Sequence, residues 1–271
     1  MATRAISGLV FILIVIGTLW SGFFQTVFLF SIISYFGTLE YYKLTAKFAK
    51  PYRFYGALFS SSIVIVSGLI IALPNAIWML GSLISFMVLF VILLLKSRSK
   101  RAIVDISITI AGAMYLAMPL VSLLLLGVMD SFHISDYNWH IPISIFILTW
   151  VNDTGAYLSG KNFGKHKLFE RLSPKKTWEG SIGGLIFTIG GVLIIFHFWP
   201  SYSQPIWIGA AILISIFSNL GDLMESAFKR NAEVKDSGSI MPGHGGILDR
   251  FDAILLTAPV VFAYLLSVSA L

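Results

Sequence analysis

Cysteine does not occur in the 271-residue sequence, which excludes a disulfide framework, an iron–sulfur cluster and a thiolate zinc site. Charge is nearly as scarce. Asp, Glu, Lys and Arg together make up 12% of the chain, against about 25% in a water-soluble domain. The 19 basic and 13 acidic residues cannot cover a soluble surface of this extent. A soluble enzyme, a disordered chain and a nucleic-acid-binding domain are excluded on that ground, although a pI near 9.5 would suit the last. No internal repeat and no low-complexity linker is evident. What the sequence has instead is apolar mass: 57% hydrophobic residues and a mean hydropathy of +0.86.

A bilayer span needs about 20 mostly apolar residues. Runs of that kind predict about nine transmembrane helices, at roughly 5–20, 22–39, 54–73, 76–95, 102–128, 139–159, 181–199, 205–228 and 247–268. Little more than Trp20-Ser21-Gly22 separates the first two, and Pro74-Asn75 makes a short turn between the third and fourth. The first run follows a single charge, Arg4, with no small-x-small cleavage site after it, so it reads as a retained signal anchor. The expected fold is an all-α polytopic integral membrane protein. Residues 1–140 would supply about five spans, and 141–271 about four more that carry the catalytic region, with cytoplasmic loops at 160–180 and 229–247.

The bases alternate with the spans. Arg4 precedes the first; Lys43, Lys47, Lys50 and Arg53 follow the second. Lys96, Arg98, Lys100 and Arg101 follow the fourth, and Lys161, Lys165, Lys167, Arg171, Lys175 and Lys176 the sixth. Lys229, Arg230, Lys235 and Arg250 lie between the eighth and ninth or at their ends, which accounts for all 19. Basic loops stay cytoplasmic. The N-terminus is therefore expected inside and the C-terminal Ser269-Ala270-Leu271 outside, in a bacterial cytoplasmic (inner) membrane. Segment 40–53 mixes bases with Tyr41, Tyr42, Phe48 and Tyr52 and reads as an interfacial helix.

Two groups of acids stand out. Asp130 and Asp136, with His133 and His140, belong to an external loop or its edge. Asp105, Asp153, Asp222, Glu225, Asp249 and Asp252 lie inside spans or at their cytoplasmic ends, where an ionisable residue marks a functional site by default. Asp105 is the exception, read as snorkelling or neutral. On an eighth-span helix Asn219, Asp222, Ser226 and Lys229 share one face, and Asp249 and Asp252 share a face of the ninth. Facing carboxylates repel unless cations sit between them, and a hard divalent cation such as Mg²⁺ takes oxygen ligands. The connector adds Lys229, Arg230, Lys235 and P-G-H-G-G, whose glycines admit phosphate oxygens to the backbone. Asn152 and Asp153, then Ser173-Pro174, Lys175, Lys176 and Thr177, with Glu179 beyond, form a second cluster suited to triphosphate or an anionic headgroup. Metal-holding carboxylates beside a basic glycine-rich loop are the equipment of phosphoryl or nucleotidyl transfer.

Residues 226–252, S-A-F-K-R-N-A-E-V-K-D-S-G-S-I-M-P-G-H-G-G-I-L-D-R-F-D, resemble the signature of the phosphatidate cytidylyltransferase (CDP-diacylglycerol synthase) family. The matching positions are Ser226, Lys229, Arg230, Lys235, Asp236, His244, Gly245, Gly246, Asp249, Arg250 and Asp252. N-D-T-G-A-Y-L-S-G-K and S-P-K-K-T-W-E-G upstream also resemble the family, so the likeness covers roughly residues 150–255. Met241 departs from it where Leu, Ile or Phe is usual, and the first 140 residues resemble it only in being hydrophobic spans.

The resemblance implies that CTP and phosphatidate give CDP-diacylglycerol and diphosphate, with Mg²⁺ and room for a second cation. The lipid phosphate would attack the CTP α-phosphorus in line. Asp222 and Asp249 would hold the metal, with Asp252 and Asp153 as further ligands. Lys229 and Arg230, with Lys175, Lys176 and Lys235, would neutralise the phosphates. His244 with the Gly245–Gly246 backbone would stabilise charge at the reacting phosphorus, and Ser226, Asp236 and Arg250 would complete the substrate contacts. No nucleic acid is expected as a partner; membrane lipids and, on base rates, a second copy of the chain are. Two rivals remain at this point: a CTP-dependent polyprenol or lipid kinase, and a cation or phosphate transporter.

Overall fold

The computed structural model describes residues 2–73, 76–96, 99–130, 134–199, 203–240 and 245–269. All the predicted apolar runs are helical there. They are α1 (Ala2–Ser21), α2 (Phe23–Leu44), α3 (Arg53–Ala72), α4 (Ala76–Lys96), α5 (Ala102–Leu126), α6 (His140–Phe163), α7 (Trp178–Phe198), α8 (Gln204–Ala232) and α9 (Leu248–Ser269). Six of them, α2, α3, α5, α7, α8 and α9, are long and apolar enough to cross a membrane. The chain is an integral membrane protein. Helix α6 falls short in hydropathy because its second half carries Asn152, Asp153 and Lys161. The turn at Pro74-Asn75, Arg98, His133 and the tail Ala270-Leu271 lie outside the described residues.

The all-α class holds, and three local features differ from the expectation. Within the loop expected at 160–180, β1 (Lys167–Phe169) and β2 (Ser173–Thr177) pair antiparallel, with Lys167 opposite Thr177 and Phe169 opposite Ser173. Pro174 sits in the two-stranded hairpin, where no central ladder needs its missing N–H. Thr177 ends β2 and caps α7, its Oγ1 accepting the Gly180 N–H at 3.1 Å. Segment 40–53 is not a separate interfacial helix. Residues 40–44 are the last turn of α2, and Tyr41 and Tyr42 are buried rather than lying in the headgroups. The Tyr42 hydroxyl donates to the Thr109 carbonyl of α5, which removes the polar reason for it to seek water. Finally, α8 runs four residues past the predicted end at 228, to Ala232, and stops where Glu233 takes a left-handed conformation at φ 60°. At 1.5 Å per residue it is about 43 Å long, against about 30 Å of hydrocarbon.

The core is continuous across residues 1–140 and 141–271. Helix α5 packs on α2, α3 and α9, and α8 lies between α7 and α9. Fully buried Phe30, Leu116, Leu120, Phe146, Trp207 and Phe251 belong to one cluster. Phe251 is the hinge of it, edge-on to Phe11 at 5.6 Å and to Phe146 at 6.0 Å.

Between membrane helices packing replaces the hydrophobic driving force, and small residues allow close backbone approach. Gly221 is the instance that matters for the site. A Cβ there would overlap the Asp252 carbonyl oxygen and stand 3.0 Å from Ala253 Cα. Both obstacles are backbone, so neither can swing away. Gly221→Ala is expected to force α8 and α9 apart at a cost of about 1–3 kcal/mol, read as a lowered midpoint of thermal unfolding in detergent. An unchanged midpoint would show that the two helices tolerate separation at this level.

Candidate active site

The close approach at Gly221 brings the polar turn of α8 against the first turns of α9. Asp222 and Glu225, three residues apart, share a face of α8, and Asp252 comes from α9. One carboxylate oxygen from each lies within 4.8 Å of the others. Glu225 is 1% exposed, and its Oε1 is buried without a hydrogen-bond partner. Asp222 is the most open of the three, with a side chain 41% exposed.

Two lysines border this cluster. Lys176, from β2, places Nζ 2.6 Å from Asp222 Oδ2 and donates to the Asn219 carbonyl at 3.2 Å. Lys229, one turn beyond Glu225 on α8, pairs with Glu225 and with Asp249 Oδ1, the latter at 2.9 Å. Two positive side chains face four carboxylates, three of them within a few ångströms. A buried carboxylate oxygen with no donor, beside two more carboxylates, is a hard-oxygen donor set that suits a divalent cation. Asp222, Glu225 and Asp252 are, among the described residues, a group able to hold one.

Asp249, expected from the sequence to hold the metal, adjoins the cluster by sharing Lys229 with Glu225. Its Oδ1 meets Lys229, while Oδ2 accepts the Ser237 N–H at 2.9 Å, the Ser237 hydroxyl at 2.8 Å and the Gly246 N–H at 2.7 Å. These contacts hold the carboxylate between the connector and Lys229, beside Glu225. The Gly246 N–H, expected to meet phosphate, is spent on the same carboxylate. Gly245 supports that turn with φ +83°, a conformation L side chains rarely adopt.

Asp153 stands beside the cluster rather than in it. Its Oδ1 accepts the Ser218 hydroxyl at 3.0 Å and the Asn152 amide at 3.4 Å, and Asn152 also reaches Ser218 at 3.3 Å. Thr188 of α7 donates to Asn152 Oδ1 at 3.4 Å, so α6, α7 and α8 meet in one polar contact. Asp153, Lys175, Lys176, Asn219 and Asp222 line a cavity of 490 Å³ between these helices and the hairpin, within the usual range for small-molecule sites. Glu179 sits in the first turn of α7. It accepts the backbone N–H groups of Lys165 and His166 and the His166 ring at 2.6 Å, tying down the turn before β1.

The remaining predicted residues divide by position. Lys175 is exposed at the cavity rim, and Ser226 is half-buried on α8. Arg230 reaches the Leu172 carbonyl of the hairpin at 3.5 Å, joining the end of α8 to β1–β2. Lys235, Asp236 and Arg250 are exposed on the connector and the start of α9. His244 lies outside the described residues. Sequence reasoning noted Glu225 as an acid inside a span yet gave it no part in the site; its spacing of three from Asp222 was the available signal. Ser218 and Ser237 carried no signal, because an isolated serine does not announce its partner.

A carboxylate triad at the edge of a basic cavity, on these motifs, narrows the comparison with known proteins. The profile of the Cytidylyltransferase family matches residues 2–268. The chain belongs to that family. Among its relatives, the phosphatidate cytidylyltransferase of Staphylococcus aureus strain COL is 38% identical over 184 residues, 67% of each chain. The protein of that name from Staphylococcus saprophyticus is 35% identical over 191 residues, 70% of each. That from Staphylococcus epidermidis reaches 47% over 118 residues, 43% of this chain and 45% of its own.

Proposed function

We infer that the chain transfers a cytidylyl group from CTP to phosphatidate, giving CDP-diacylglycerol and diphosphate. The relatives named for that activity support the substrates. The observation that carries the chemistry is the triad Asp222, Glu225 and Asp252 opening onto the 490 Å³ basic cavity through the Lys176–Asp222 pair.

A phosphate oxygen of phosphatidate forms the new bond to the CTP α-phosphorus. The bond from that phosphorus to the α–β bridging oxygen breaks, and its electron pair leaves with diphosphate. The attacking phosphate is already ionised near neutral pH, so no strong general base is required. Lys176 and Lys175 lie where a triphosphate in the cavity needs neutralising. Lys229 keeps Glu225 and Asp249 in place. A Mg²⁺ ion held by Asp222, Glu225 and Asp252 would supply charge neutralisation at the phosphates when bound. Asp153, with Ser218 and Asn152, shapes the cavity wall beside that position. His244 remains a proposed charge-stabilising contact.

Nine spans, an inner-leaflet site and a cytoplasmic N-terminus belong to this reading, supported by the alternation of all 19 bases. The membrane is then the bacterial cytoplasmic one. A site at the headgroup plane lets phosphatidate keep its tails in the bilayer, where each CH₂ is worth about 0.8 kcal/mol.

The deciding assay follows two labels. With phosphatidate and Mg²⁺, CTP labelled at the α-phosphorus should put label into chloroform-extractable lipid and release diphosphate. Label entering lipid only from the γ-position, with CDP released, would establish a lipid kinase and overturn the assignment. Lys176→Met should raise the KM for CTP by about tenfold or more, the loss of a charge-assisted contact worth about 1.5–3 kcal/mol, with little change in the KM for phosphatidate. An unchanged KM for CTP would remove Lys176 from the triphosphate site.

A further inference from the structure

Glu40 is the most deeply buried carboxylate in the N-terminal half, 1% exposed on the last turn of α2. It lies far from the acids of the site in sequence, and it touches none of them directly. Its Oε2 accepts the Leu248 N–H, the first of α9, at 2.9 Å. The Ser237 hydroxyl stands 3.2 Å from the same oxygen and 2.8 Å from Asp249 Oδ2. One proton serves both acceptors, so the serine couples the two carboxylates. Asp249 passes the contact to Lys229, and Lys229 to Glu225 of the triad.

The shape around Glu40 is as specific as its hydrogen bonds. A Cβ at Gly238 or at Gly246 would overlap its carboxyl group. The connector presents two glycines to it, and both are needed for the carboxylate to fit. Its Oε1 has no hydrogen-bond partner. Burying a carboxylate with one oxygen unmet is costly, and helix packing alone gives no reason to keep it.

We propose that Glu40 is a positioning residue for cytidylyl transfer. It clamps the connector onto the start of α9, and through Ser237, Asp249 and Lys229 it sets where Glu225 stands in the carboxylate triad. The proposal rests on the function inferred above for its kinetic readout, and it has a second readout that does not.

The test compares Glu40→Ala, Ser237→Ala, Gly246→Ala and the double variant Glu40→Ala/Gly246→Ala in the full-length protein. Misplacing a reacting constellation by about 1 Å can cost about 10²-fold. Glu40→Ala is therefore expected to lower kcat by at least about tenfold while the KM for CTP changes by less than about threefold. Gly246→Ala should be equally damaging alone. In the Glu40→Ala background, where the overlapping carboxyl is gone, the second substitution should add less than about twofold, since contacting residues are not additive. Independently of turnover, hydrogen exchange at the Ser237, Gly246 and Leu248 amides should quicken in Glu40→Ala. Should Glu40→Ala fail to fold, Ser237→Ala removes the coupling hydroxyl with almost no loss of volume, and a fall in kcat of about threefold or more is expected for a lost hydrogen bond. Wild-type kcat in Glu40→Ala, or unchanged exchange at those amides, or unchanged kcat in Ser237→Ala, would each overturn the proposal. An inactive wild-type protein would instead sink the assigned reaction, leaving the exchange measurement to judge the clamp.

Discussion

Asp252→Asn is expected to lower cytidylyl transfer by about 10²–10³-fold, the usual cost of removing one preorganised electrostatic group from a reacting centre. The protein itself should survive the change. Asp222, Glu225 and Asp252 are like charges within 4.8 Å of one another, and such groups repel when no cation is between them. Neutralising one relieves that repulsion, so in chelator the variant should unfold at the same temperature as the wild type or higher. Added Mg²⁺ should then stabilise the wild type more than the variant, because a ligand stabilises only in proportion to its affinity for the folded state. Thermal unfolding with and without Mg²⁺ separates the two effects. Near-normal turnover together with an undiminished Mg²⁺ response would remove Asp252 from the metal site.

Lys229→Met carries the largest expected cost in stability. The Lys229 side chain is 18% exposed and is the cation of two buried carboxylates, Glu225 at 1% and Asp249 at 7%. Methionine keeps most of the volume and removes the charge, leaving two buried anions with no counter-ion. Breaking a buried pair in that way costs about 3–5 kcal/mol. A lowered midpoint of unfolding and loss of activity should appear together. Glu225→Gln in the same background should recover part of the stability, because it removes one stranded charge, while leaving the enzyme inactive. If Lys229→Met unfolds like the wild type, the ion pairs are not what holds α8 to α9. By contrast, the pair between Lys47 and Glu233 at 2.8 Å is exposed at both ends. The hydrogen bond from Lys47 holds the Glu233 carboxyl below its ordinary range, and its removal should leave turnover unchanged.

Much of the site was legible because intramembrane acids are few. Asp222 and Asp252 fall on helices joined by one connector, which makes the two helices antiparallel neighbours with their acids at the same end. Lys176 was legible as a base beside a predicted turn. Asp249 shares a face with Asp252 by spacing, and the structure adds Ser237, Gly246 and Lys229 as its partners. Glu225, three residues from Asp222, joins Asp222 and Asp252 as a carboxylate that spacing did not single out. Spacing along one helix tells which side chains share a face, but not which of two acids finds a lysine first. The hairpin at 167–177 was hidden because its strands of three and five residues are too short for an alternating pattern.

The sequence by itself determined that the chain lives in a membrane, where its helices begin and end to within a few residues, and which acids stand inside them. Hydropathy and helical period are local properties, and local properties can be summed along a chain. Only the tertiary structure decided that Glu40 holds the start of α9, that Lys229 is shared between Glu225 and Asp249, and that Gly221 lets Asp252 reach the triad. Each is a contact between residues distant in sequence, set by how closely helices approach, and no periodicity in either partner encodes it.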